Sequence, residues 1–232
     1  MKTICVTGAS RGIGLGLAKG YLEAGDRVFG TVRNPEAPAV KELQQEYPET
    51  FTPVVMDVSD RDSVQTGAGQ IASQTDRIDI LINNAGANTK DNEKRVEDIS
   101  EENIQRVFNV NVLGPLRVLQ ELMPLLRKSD NAKAVMISST AGSIASQGGG
   151  RVVPYCVSKA SLNMLTKLLY FHCKEDGVAT VALHPGWVRT DMGGSGGALS
   201  VEESVRGMMQ VIDGLTTESP VFVDYQGREL PW

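Results

Sequence analysis

A chain of 232 residues with 41% hydrophobic and 22% charged side chains carries enough apolar material for a buried core and is too apolar to remain disordered. Its net charge of -5 excludes a general polyanion binder, so neither nucleic acid nor a membrane surface is expected as a partner, and any phosphate site must be local. Cys5, Cys156 and Cys173 are widely spaced and odd in number, which argues against a disulfide framework or a zinc site and for a reducing compartment.

Ile4-Cys5-Val6 reads as a short buried strand, followed by a glycine-rich turn and a helix through Leu15, Leu17, Ala18 and Leu22, with Gly25 where a helix C-cap belongs. Val28 to Val32 is the next strand, and a helix containing Val40, Leu43 and Tyr47 follows Pro35. Then come a strand at Val54-Val55-Met56, a helix from Ser63 to Gln74 and a strand at Ile78 to Ile82. A long helix is predicted from Ser100 towards Leu126, bent by Pro115. Strand Ala134 to Ile137 precedes a helix from Pro154 to Lys174, and Val178 to Leu183 is a further strand. The capping box Ser200-Val201-Glu202-Glu203 opens one more helix, after which Val221-Phe222-Val223 closes the sheet.

Continuous apolar strands alternating with helices predict an α/β fold: a single Rossmann-type doubly wound parallel sheet of about seven strands, with helices on both faces, forming one domain over residues 1–232. No apolar run reaches the roughly 18 residues of a membrane helix. The stretch around Ile4 is also too short for a secretory signal, so a cytoplasmic protein is expected.

Ligands in such sheets bind beyond the carboxyl ends of the strands. Thr7-Gly8-Ala9-Ser10-Arg11-Gly12-Ile13-Gly14 occupies that position after the first strand, where glycines let backbone N–H groups approach a pyrophosphate at a helix start. Binding of NAD would call for an acid at the end of the second strand. Thr31-Val32-Arg33-Asn34 has none there; Arg33 suits a 2′-phosphate, with Arg11 approaching from the other side, and NADP(H) is the expected cofactor. Tyr155 and Lys159 lie four residues apart, hence on one helical face, where an ammonium would stabilise a phenolate.

These motifs, together with Asp57-Val58, Asn83-Asn84-Ala85-Gly86, Asn111, Ser138-Ser139 and Pro185-Gly186-…-Thr190, follow one another over nearly the whole chain. In that order they resemble the classical short-chain dehydrogenase/reductase family. The endings His184-Pro185-Gly186-Trp187-Val188-Arg189-Thr190-Asp191-Met192 and Asp224 to Trp232 look like its C-factor and sniffer-like carbonyl reductase branch. The resemblance implies hydride transfer between a nicotinamide and a small-molecule carbonyl or alcohol. Tyr155 would be the acid/base, and Lys159 would depress its pKa and hold the nicotinamide ribose. Ser139 would hydrogen-bond the substrate oxygen, and Asn111 would hold a water that relays protons from Lys159.

For the cofactor, the resemblance implies Gly8, Ser10, Arg11, Ile13 and Gly14 at the phosphates, Arg33 at the 2′-phosphate, and Asp57 and Val58 at the adenine. Asn84, Ala85 and Gly86 would line the adenosine ribose side, and Pro185, Val188 and Thr190 the nicotinamide end. Asn83 and Ser138 are expected to be structural. A homodimer, or a tetramer built from it, is implied through the long helix and the Tyr155 helix, with Leu113, Leu116, Leu119, Leu162, Leu165 and Leu169 as its apolar residues.

Two stretches depart from the family pattern. The connection from Ser139 to Tyr155 is longer than usual, and the segment from Met192 to Leu199 is short and glycine-rich, which reads as a mobile, open lid with broad carbonyl tolerance. Gly193 to Gly197 also satisfies the nucleophile-elbow pattern G-x-S-x-G. That reading needs a downstream histidine, whereas His172 and His184 both lie upstream, and two histidines make no metal constellation. The remaining alternative is an NAD(P)-binding signalling or regulatory protein with little turnover, an activity for which a proton donor such as Tyr155 would be superfluous.

Overall fold

Strands buried on both faces must alternate their side chains between two helical layers, and this chain does so residue by residue. The computed structural model describes residues 1–89, 95–150 and 152–232. In chain order the elements are β1 (Thr3–Thr7), α1 (Gly12–Glu23), β2 (Arg27–Val32), α2 (Pro38–Glu46), β3 (Phe51–Val55), α3 (Arg61–Ala72), β4 (Ile80–Asn83), α4 (Glu101–Phe108), α5 (Gly114–Leu126), β5 (Lys133–Ile137), α6 (Val153–Glu175), β6 (Ala179–His184), α7 (Val201–Asp213) and β7 (Phe222–Asp224). The strands form one parallel seven-stranded sheet in the order β3-β2-β1-β4-β5-β6-β7, the predicted α/β class.

Ile4 and Val6 of β1 point into a core shared with Leu17 and Tyr21 of α1, Val40 of α2 and Met208 of α7. Cys5 points the other way, into a core with Ile71 of α3, Leu122 of α5 and Leu162 of α6. Each fully buried Leu or Ile contributes about 1.5–3 kcal/mol relative to exposure, so the strand alternation fixes which face each helix covers. The strand order reverses between β1 and β4, and the crevice beyond their carboxyl ends is where ligands bind in open sheets of this kind.

Several boundaries differ from expectation for identifiable reasons. α2 starts three residues past Pro35 because Pro38 fills the first helical turn, where its missing N–H costs nothing. α3 starts at Arg61, two residues before the expected Ser63, because Asp60 caps it by accepting from the Ser63 N–H at 2.7 Å. The long helix is not simply bent: it divides into α4 and α5 around a π-turn at Asn109–Leu113. Pro115 has no N–H to give the Asn111 carbonyl, so the α pattern cannot continue there, and Gly114 N–H bonds instead to the Asn109 carbonyl five residues back. The capping box at Ser200 and Glu203 forms as expected, with both reciprocal bonds present.

Candidate active site

The turn after β1 is built around positions that tolerate no side chain. Gly8 and Gly12 have φ of 70° and 55°, a region that favours glycine. A methyl at Gly8 would stand 3.0 Å from the Ala85 Cα, and one at Gly14 would run into the Gly8 carbonyl and the Asn84 amide. Arg11 precedes α1 without a side-chain cap, so the first N–H groups of that helix have no side-chain acceptor and face the crevice as donors. This cradle has the form that a dinucleotide pyrophosphate requires.

Thr7 was not among the expected site residues, yet it stitches the crevice together. Its hydroxyl accepts from the N–H groups of Asn84 and Ala85, both at 3.0 Å. Asn84 returns the link, its Nδ2 donating to the carbonyls of Thr7 at 2.9 Å and Gly8 at 3.3 Å. Asn84 therefore braces the glycine turn, and Ala85 supplies its floor, while Gly86 is exposed beside them. Only the threonine immediately before the first glycine hinted at this in the sequence.

Arg33 is exposed at the end of β2, and no carboxylate precedes it on that strand. Its charge reaches Asp57, whose carboxyl is held below the usual range first by the Ser59 hydroxyl, with Arg33 adding to the effect. Asp57 Oδ1 accepts from both the N–H (2.9 Å) and the hydroxyl (2.6 Å) of Ser59, which fixes the turn after β3. Val58 is buried and packs 3.0 Å from where a Cβ of Gly114 would lie. The Arg11 guanidinium pairs with Asp191 at 2.7 Å, on the loop after β6.

Past the end of β5, Ser139 takes an extended conformation and its Oγ accepts from the Ala141 N–H at 3.1 Å. The same hydroxyl lies beside the phenol of Tyr155, two residues into α6, and favours its ionised form. The turn into α6 is made by Val152 at φ 52°, a conformation that β-branched residues rarely adopt. Lys159, one turn after Tyr155, donates to the Ile137 carbonyl at 2.7 Å and lies 5.6 Å from the centre of the tyrosine ring. Gly142 lets this loop close onto α6, since a Cβ there would stand 2.6 Å from the Lys159 carbonyl oxygen.

The electrostatics reverse one expectation. Burial pushes the Tyr155 phenol up to about 12, with Ser139 opposing the rise. Burial also brings Lys159 down to about 8. The net shift of the phenol is upward because desolvation is the largest effect on it, so the expected depression by the neighbouring amine does not set its direction. The arrangement instead keeps the phenol protonated, which is the form that can donate a proton.

Asn111, only 1% exposed, sits within the π-turn. Its Oδ1 accepts from Ala87 N–H at 2.7 Å, while its Nδ2 donates to the Ala87 carbonyl and to Ser158 Oγ, each at 2.9 Å. Ser158 in turn donates to the Tyr155 carbonyl at 2.7 Å. The side chain thus ties the loop after β4 to α6. Ser138, as expected, serves packing by donating to Asn163 Oδ1 at 2.5 Å.

After β6, Pro185 accepts at its carbonyl from Ser204 of α7 at 2.6 Å, and Val188 is buried and bridged to Leu199. Thr190 Oγ1 accepts from Gly193 N–H at 3.0 Å. The segment that follows is expected to be a mobile lid, but two of its glycines, Gly193 and Gly197, are packed against the backbone of residues 188–189. A Cβ at Gly197 would stand 2.6 Å from the Val188 and Arg189 backbone, Arg189 donates to the Gly197 carbonyl at 3.0 Å, and Trp187 Nε1 donates to that of Gly193 at 2.9 Å. The segment from Met192 to Leu199 is folded back and pinned onto residues 187–190.

Residues 2–198 match the family model described as short chain dehydrogenase. The C-signal of Myxococcus xanthus is 43% identical over 159 residues, covering 68% of this chain and 95% of that protein. The short chain dehydrogenase gsfK of Penicillium aethiopicum is 34% identical, covering 99% of each. Among solved structures, the NADPH-bound carbonyl reductase from chicken fatty liver superposes with a TM-score of 0.93 at 33% identity, covering 100% of this chain and 99% of that one. Carbonyl reductase Sniffer of D. melanogaster gives 0.93 at 30% identity over 100% of both chains. With its motifs gathered at one edge of such a sheet, this chain belongs to the short-chain dehydrogenase family of oxidoreductases.

Proposed function

We propose that the protein is an NADP(H)-dependent carbonyl reductase, reversible as an alcohol dehydrogenase, acting on a small-molecule carbonyl substrate. The observation that carries this reading is the placement of Tyr155 one helical turn from Lys159 and beside Ser139, on the same edge of the sheet as the glycine cradle. Support for the cofactor comes from the exposed Arg33 at the end of β2 and from similar proteins of known structure, one an NADPH-bound carbonyl reductase and another a Pseudomonas aeruginosa carbonyl reductase in complex with NADP.

When bound, NADPH supplies the hydride. Tyr155 gives its proton to the oxygen of the carbonyl being reduced, and the Ser139 hydroxyl donates to the same oxygen as negative charge builds there. Lys159, charged below about 8, stabilises the phenolate left behind and holds a ribose hydroxyl. Asn111 acts on this group indirectly, by fixing α6 through Ser158. The N–H groups at Gly8, Ser10, Ile13 and Gly14 would hold the pyrophosphate and Arg33 the 2′-phosphate. Asp57, Val58, Ala85 and Gly86 would enclose the adenosine, with Asn84 bracing them, and Pro185, Val188 and Thr190 would hold the carboxamide. Arg11 would have to exchange Asp191 for a phosphate oxygen.

The test is turnover of NADPH against NADH with a panel of aldehydes and diketones. NADPH is expected to be preferred, and Arg33→Asp is expected to lower kcat/KM for NADPH at least about tenfold, the size of a lost charge-assisted contact. An unchanged preference would overturn the phosphate assignment. The 43% identity to a protein named C-signal favours one second reading, a signalling protein that binds NAD(P) with little turnover. NADPH binding without oxidation by any carbonyl in the panel would select it.

The expected homodimer remains part of this reading. Leu119 and Leu162 are buried in the core and do not contribute, but Leu113, Val157, Met164, Leu168 and Phe171 leave an apolar face exposed along α6 and the π-turn. Sedimentation as a dimer at micromolar concentration is expected, and a monomer there would contradict it.

A further inference from the structure

The segment after β7 returns along its own strand and reaches across to the loop beside Ser139. A tight turn at Gly227 (φ 80°), closed by the Asp224–Arg228 ion pair at 2.6 Å, reverses the chain, and Leu230 N–H bonds back to the Phe222 carbonyl at 3.0 Å. This delivers Trp232 to the loop between Ser139 and Tyr155. The Trp232 carbonyl accepts from the Ala145 N–H at 2.8 Å and from the buried Ser143 hydroxyl at 3.4 Å. Its indole packs on Phe222 with ring centres 5.3 Å apart, and Lys167 of α6 sits 5.8 Å above it.

The loop so held is not a free surface loop. Ser143 follows Gly142, which is wedged against the Lys159 backbone, and the Ser143 hydroxyl also accepts from the Ser146 N–H at 3.2 Å. Gln147 Nε2 donates to the Ala141 carbonyl at 2.7 Å, closing the loop on the residue that donates to Ser139. Between the two positions bonded to Trp232 stands Ile144, 79% exposed, an apolar side chain displayed by a fixed backbone.

We propose that Trp232 is a positioning residue for substrate specificity: it straps the loop at Ser143–Gln147 so that Ile144 presents an apolar wall beside Ser139 to the non-reacting part of a carbonyl substrate. The proposal rests on the reading of Ser139 and Tyr155 as the reacting site. The cofactor cradle lies across the sheet after β1, and the strap does not touch it. Loosening the strap therefore weakens carbonyl binding while leaving cofactor binding intact.

The test uses the full chain loaded with NADPH, an aromatic diketone as substrate, and amide hydrogen exchange over residues 140–147. Trp232→Ala is expected to speed exchange in that segment and to raise KM for the diketone about tenfold, with KM for NADPH held within about twofold. Trp232→Phe, which keeps a ring on Phe222, is expected to restore most of both. Lys167→Met, which removes the cation shared by the Trp232, Tyr170 and Phe171 rings and keeps an unbranched side chain, is expected to move both readouts in the same direction, and it decides the matter if Trp232→Ala does not fold. Unchanged exchange, an unchanged diketone KM, or a parallel rise in both KM values would each overturn the proposal. If the wild type turns over no carbonyl, the proposed function fails, and the exchange measurement still decides whether the strap holds the loop.

Discussion

Tyr155→Phe is expected to lower kcat for carbonyl reduction about a thousandfold, the middle of the range for a lost general acid. The substitution deletes one hydroxyl whose neighbours are Ser139 and the desolvated end of the pocket, so the fold has little reason to change. Ser139 remains to bond the substrate oxygen but has no acidity to complete the proton transfer, which is why the loss falls on kcat rather than on KM. The pH profile supplies the sign. Burial lowers Lys159 to about 8, so its positive charge is present below that pH and lost above it; Tyr155, raised to about 12, keeps its proton throughout. Wild-type kcat/KM in the reduction direction is therefore expected to be level at neutral pH and to fall as pH rises through about 8. Steady-state rates of NADPH oxidation across pH read both effects. A phenylalanine variant within a few-fold of wild type would remove Tyr155 from the chemistry.

Gly14→Ala carries the second large effect, this time on cofactor affinity. The added methyl would enter space filled by the Gly8 carbonyl and the Asn84 amide, and neither is free to retreat. Asn84 is already bonded to the carbonyls of Thr7 and Gly8, and Thr7 holds the backbone of Asn84 and Ala85. The two loops must part, a cost of about 1–3 kcal/mol by analogy with overpacked cores. In affinity that is about tenfold to a hundredfold. Fluorescence titration with NADPH measures it. The control is Gly69→Ala on α3, where nothing lies within 4 Å of an added Cβ and the gain in helix propensity should be neutral or stabilising. Equal NADPH affinity for Gly14→Ala and wild type would mean that the cradle does not bind the cofactor.

The sheet was legible because buried parallel strands leave an unambiguous trace: Ile4-Cys5-Val6 and Ala134 to Ile137 are apolar at every position, and both faces of the sheet require that. The glycine turn and the Tyr155–Lys159 spacing were legible because each is local in sequence. What escaped was set by contacts between distant segments. The brace between Thr7 and Asn84 spans 77 residues, and nothing near either position announces it. Gly193 and Gly197 looked mobile because glycine encodes both freedom and close packing, and only the Val188 and Arg189 backbone against them decides which.

The direction of the Tyr155 shift was misread for a related reason. A four-residue spacing shows that an amine is near, but not that the pocket around the phenol is dry. Pro115 was seen as a helix breaker, yet the sequence did not say that the chain would absorb it with a π-turn that carries Asn111 into the site. Trp232 was legible only as part of a family-like ending; its bond to Ala145 joins residues that the sequence gives no reason to pair.

The most direct measurement is a crystal structure of the ternary complex with NADP(H) and a substrate or ketone-like inhibitor. The Tyr155 hydroxyl is predicted to lie within hydrogen-bonding reach of the oxygen on the carbon that faces the nicotinamide, with Ser139 as its second donor. A complex in which that oxygen is held by some other proton donor, with Tyr155 turned away from it, would contradict the assignment.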